Sequence, residues 1–166
     1  MSYRHCFGIL LTLAVSAVPV AAQSSWDRYK PGSVGAIIAQ EREGVLTQFK
    51  LGRGHHTVIS GASFPTRTTV EFLDSSRATP SERIAVLEAW TKSLHVNVDV
   101  RSALTTELLF REDSLLLWLP VQEVLVPSFR NELKRGDLVT LFLGYVGAEG
   151  QGSVIDWVFI VNEFEK

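Results

Sequence analysis

Residues 138–146 and 154–161 are the two most apolar runs of the chain beyond residue 22, and a glycine-rich stretch, 147–153, joins them. Both runs have the length of a strand. Near-continuous apolarity over such a length requires burial on both faces, or a sheet that curves around a core. The rest of the chain must therefore supply enough strands and a covering helix to enclose these two.

Other segments read in the same direction. Residues 34–40 and 45–51 are apolar-rich and flank Glu41-Arg42-Glu43-Gly44, a spacing that predicts a hairpin with Gly44 in the turn. Residues 57–60 and 67–73 read as further short strands, the second alternating through Thr68, Val70 and Phe72. Residues 104–111 and 115–121 flank Glu112-Asp113-Ser114, a second hairpin spacing. One helix is predicted over residues 80–94. Thr79 and Glu82 form a capping-box pattern, Pro80 suits the first turn, and Ile84, Val86, Leu87, Trp90 and Leu94 share one face. Residues 127–135 read as one or two helical turns, with Ser128 as cap and Gly136 as stop.

The expected architecture is α+β: seven or eight short strands in a small, partly closed antiparallel β-barrel or curved sheet, with one main helix packed on it. Closure would remove exposed strand edges. The order of strands, helix and strands is loosely similar to an OB-type barrel with extra strands.

The N-terminus reads as an export signal. Arg4 supplies the only permanently charged side chain among residues 1–6, an apolar stretch follows from Phe7, and Val20-Ala21-Ala22 places small residues where a signal peptidase cuts. The stretch is short for a bilayer span, which needs about 20 residues. Cleavage after Ala22 would leave residues 23–166 as one β-rich domain in the periplasm or secreted, with no transmembrane segment. Cys6 is the only cysteine and lies within the signal, so the domain has no disulfide, thiol nucleophile or cysteine-bound metal. At that size it buries about 68–70% of its unfolded surface and folds without staples.

Charge is uneven. Residues 23–77 hold seven basic and five acidic side chains, whereas residues 78–166 hold eight and thirteen. An acidic balance combined with export argues against a nucleic-acid partner.

Candidate sites are sparse. Gly52-Arg53-Gly54-His55-His56 could bring Arg53, His55 and His56 to an anionic ligand, although adjacent side chains of an extended segment point to opposite faces. Gly52-x-Gly54 lacks the remainder of a phosphate-loop pattern. Ser60 or Ser63 with His55 or His56 and Asp74 could be written as a hydrolytic triad, but no nucleophile-elbow sequence surrounds either serine. Glu107, Glu123 and Asp156 are the acids nearest apolar strand positions, and Asp156 stands out between Ile155 and Trp157. Trp118, Phe129, Tyr145 and Trp157 could line a groove or fill a core. No cofactor or metal is implied. The leading expectation is a non-enzymatic module that binds another envelope or extracellular protein, or a small ligand. Its rivals are a small exported hydrolase, which needs His55 or His56 to meet an acid in a pocket, and a carrier, which needs an empty interior.

Overall fold

Val34, Ile38, Val45 and Phe49 recur at spacings of four and seven, and the segment that carries them is one helix, α1 (Val34–Leu51). The computed structural model describes residues 25–51, 54–61 and 64–166. The hairpin expected here is corrected by this helix. Residues 41–44 are its solvated side, and an added Cβ at Gly44 would meet nothing within 4 Å. A glycine at such an exposed helical position costs about 1 kcal/mol, less than the burial of Val45 and Phe49 returns. Ser33 Oγ accepts the Ala36 N–H at 3.0 Å, and the Glu112 carboxylate accepts those of Val34 and Gly35 at 3.0 and 2.9 Å.

The second long helix, α2 (Ser81–Ser93), lies where the sequence placed it, so two helices take the part expected of one. The capping box does not form. Thr79 Oγ1 donates instead to the Leu104 carbonyl at 2.8 Å, and Glu82 meets the Ser81 hydroxyl at 3.0 Å. Two short helices follow, α3 (Val100–Ala103) and α4 (Val126–Glu132); Pro127 sits in the first turn of α4, and no side chain caps it. A 3-10 turn, Ser25–Arg28, opens the described chain.

Among the described residues seven strands form one mixed sheet: β1 (Lys30–Pro31), β2 (His56–Ile59), β3 (Thr66–Ala78), β4 (Thr106–Glu112), β5 (Leu115–Val121), β6 (Leu138–Gln151) and β7 (Val154–Glu165). The expected all-antiparallel pairing is corrected: β1 runs parallel to β3, and β5 parallel to β7. A parallel pair needs a crossover connection, and α4 with β6 supplies it between β5 and β7. Strand β3 does the bending. Residues 66–71 pair with β6 and residues 71–78 with β4, around a bulge between Phe72 and Ser76 where Asp74 has φ +51°. The pairings β3–β4–β5–β7–β6–β3 thus make a ring of five strands, with β1 and β2 added outside it.

The ring interior is filled. Val70 and Phe72, Leu108 and Phe110, Leu117 and Leu119, Leu141 and Leu143, and Phe159 and Val161 come from its five strands and pack together, and α4 adds Phe129. On the outer face, Ile84, Val86 and Leu87 of α2 cover Val146, Val158 and Ile160. Helix α1 lays Val45 and Phe49 on Ala148. Of the glycine-rich stretch expected as a connection, residues 147–151 are strand, and Gly152 and Ser153 alone make the turn. Gly147 and Gly150 hold φ of +154° and +148° against the backbones of Val58 and Val154, where a side chain would clash, and β6 therefore continues to Gln151. Among the described residues no helix is long and apolar enough to cross a membrane. The export signal read at residues 1–22 lies outside the described residues.

Candidate functional site

The ring has one weak joint. Strands β5 and β7 pair only at Val121 and Val161. From there towards Leu115 and Val154 they leave a slot of about 380 Å³, whose lining includes Leu115, Leu116, Trp118, Ile155 and Trp157. The volume falls within the ~300–1,000 Å³ of ligand clefts.

Arg83 bridges this slot from the first turn of α2. Its side chain is 2% exposed. Nη1 donates to Glu107 Oε1 at 2.5 Å and to the Trp118 carbonyl at 2.9 Å, while Nη2 donates to Asp156. Glu107 is fully buried, and its other oxygen accepts from Arg77 Nε at 2.6 Å. The Arg77 guanidinium lies 4.4 Å from the centre of the Trp118 ring. Helix α2 and strands β4, β5 and β7 are thereby tied at a single guanidinium, and Arg77 joins β3 to them through Glu107. A buried ion pair of this kind holds geometry more than it adds stability, because desolvation offsets most of the attraction. Arg83 Nε is buried with no hydrogen-bond partner among the described residues.

Asp156 belongs to two cavities. Its half-exposed carboxylate stands at the slot and also at a second hollow of about 540 Å³, which His55, Pro80, Glu82, Glu149 and Val154 help to line. Glu149 lies directly across the β6–β7 pair from Asp156. Its side chain is 6% exposed, with Oε2 3.3 Å from His55 Nε2. Burial pushes the Glu149 carboxyl above the ordinary glutamate value and the Asp156 charge adds to this, while the His55 hydrogen bond and the Arg83 charge oppose it.

Of the sequence candidates, His55 reaches this hollow. His56 turns to Phe49 of α1, with ring centres 5.9 Å apart, and its Nε2 is buried with no partner among the described residues. Arg53 and Ser63 lie outside the described residues. Asp74 sits on the β3 bulge, and the acid that meets His55 is Glu149. Glu107 and Asp156 both serve Arg83, whereas Glu123 takes a hydrogen bond from Thr105. Trp118 and Trp157 line the slot, while Phe129 and Tyr145 are buried in the core. No group of three or more His, Cys, Asp or Glu side chains among the described residues is placed to hold a metal ion.

Sequence reasoning missed Arg83, Arg77 and Glu149. A signal for Arg83 was present: it precedes Val86, Leu87 and Trp90 by three, four and seven residues, which puts a guanidinium on the apolar face of α2. Comparison with family models, curated proteins and solved structures finds no match for this chain.

Proposed function

We propose that the chain is an exported domain, periplasmic or secreted after cleavage at Ala22, that binds a protein or a small ligand without transforming it. On this reading the five-strand ring is a partly closed, OB-like barrel, and its β5–β7 seam is the binding face. The observation that carries the proposal is the slot itself. Two tryptophans and several aliphatic side chains flank it, and its charged groups are already committed to one another through Arg83. Such a surface offers shape and apolar contact, fixed in place before a ligand arrives. The filled interior favours this reading over that of a carrier.

The test is capture of partners and ligands from native envelope extract by the intact exported protein, with cell fractionation confirming the compartment. Asp156→Asn combined with Leu116→Glu alters the rim of the slot at two exposed positions, and Glu43→Ala on α1 serves as the control. The expected result is a stoichiometric partner or ligand held by the wild type and the control and lost from the rim variant. Equal capture by all three, or none by any, would overturn the proposal.

A second reading, a small hydrolase, is favoured by one observation: the buried Glu149 carboxyl, raised in pKa, opposite Asp156 and beside His55. Two acids held in different environments are what general acid–base chemistry uses. Turnover of ester, amide or glycoside substrates that Glu149→Gln abolishes would favour this reading over binding.

A further inference from the structure

The slot beside β5 is a hydrogen-bonding surface as well as an apolar one. In an antiparallel ladder, alternate residues exchange both backbone bonds with the neighbouring strand, and the residues between them turn theirs away. Strand β5 pairs with β4 without a register shift from Leu115 to Val121. Pro120 has no N–H, so it belongs to the outward-turned set, and Trp118 and Leu116 share its parity. The Trp118 carbonyl agrees, since it accepts from Arg83 across the slot. Proline cannot donate to a ladder, and Pro120 sits beside Val121, the one point at which β5 pairs with β7. Beyond Trp118 the backbone of Leu116 faces the slot, and the 65% exposed Leu116 side chain stands beside it.

From these observations we infer that the slot takes an extended polypeptide segment, which adds as a strand to the free edge of β5 along residues 115–118. This rests on the binding reading above and names its ligand class. The ligand is set by complementarity. A strand edge offers N–H and C=O groups at fixed spacing, which only another extended backbone matches, and the apolar walls accept alternate side chains of that segment. Ile155 and Trp157 of β7 form the opposite wall. Arg83 ends the open part, because its guanidinium spans the slot at the level of Trp118 and Asp156. The site therefore suits a short segment with apolar residues at every second position.

The probe is a displayed library of random octapeptides, selected against the intact protein and followed by NMR titration of the selected peptides. The expected peptides alternate apolar and polar residues and shift the amides of residues 115–119 and 155–157. Leu116→Pro removes one slot-facing donor and leaves the β4 ladder in place. It should weaken binding about tenfold or more, as should N-methylation of alternate peptide residues along one edge. The methylated peptides keep the test decisive even if the proline variant folds poorly. Strand addition is overturned if no peptide is selected, if methylation has no effect, or if peptides bind a folded Leu116→Pro variant equally well. Self-association through this edge, seen by sedimentation and abolished by Leu116→Pro, would also overturn it, with a second copy as the occupant. If extract capture still depends on Asp156 and Leu116 while peptide binding fails, the binding function stands and only its ligand class falls.

Discussion

The carboxylate of Glu112 accepts three hydrogen bonds, from the Val34 and Gly35 amides and from the Thr68 hydroxyl at 2.6 Å. It ties the start of α1 to β3 and β4. Glu112→Ala leaves three donors without an acceptor and should cost about 2–4 kcal/mol, read as a lower urea midpoint at unchanged slope. Arg83→Met leaves buried Glu107 with Arg77 alone and should cost about 3 kcal/mol, whereas Arg83→Met with Glu107→Leu should recover much of that loss. A double variant no more stable than Arg83→Met would contradict this account of the cluster. Glu149 sets a pH dependence. Its folded-state pKa is raised, so its contribution is fully present below the unfolded value of about 4.3 and is lost as pH climbs through the folded value. Wild type should therefore lose stability relative to Glu149→Gln as pH rises out of the acid range. Parallel curves in urea titrations at several pH values would contradict the assignment. Little of this was legible in the sequence, because the partners of Arg83 lie 24, 35 and 73 residues away.

At the scale of elements, legibility followed the length of the pattern. The apolar face of α2 and the runs that became β6 and β7 could be read directly. Helix α1 was misread because Glu41 to Gly44 resembles a turn, while the spacing of Val34, Ile38, Val45 and Phe49 carried the true period. Periodicity summed over eighteen residues outweighs one local turn signal. The glycines of β6 misled in the opposite sense. Gly147 and Gly150 read as turn or bulge residues of a connection; a register shift does fall at Gly147, and each allows a close backbone approach within the sheet. Gly147→Ala and Gly150→Ala should each destabilise by about 2 kcal/mol or more, through positive φ and steric clash. Hydrogen exchange should show Gly147→Ala loosening the β2–β6 pairing first. Protection of residues 56–59 unchanged from wild type would contradict that.

The molecule as a whole is a ring of five strands with a filled interior, paired extensively along four joints and at the fifth only at Val121 and Val161, where Arg83 bridges the remaining gap. The sequence pointed to curvature and closure, since two adjacent runs were too apolar for a flat, half-exposed sheet. The place where closure fails was marked only by Pro120 and by Asp156, and both acquire meaning once strand order is known. On the proposed function, this open joint leaves β5 with a free edge for recognition. Amide hydrogen exchange on the unliganded protein tests it most directly. The free edge predicts that Leu116 exchanges far faster than Leu117 and Leu119, whose amides face β4. Leu116 protected as strongly as those two neighbours would mean that the edge is already occupied, and the slot would not be the binding face.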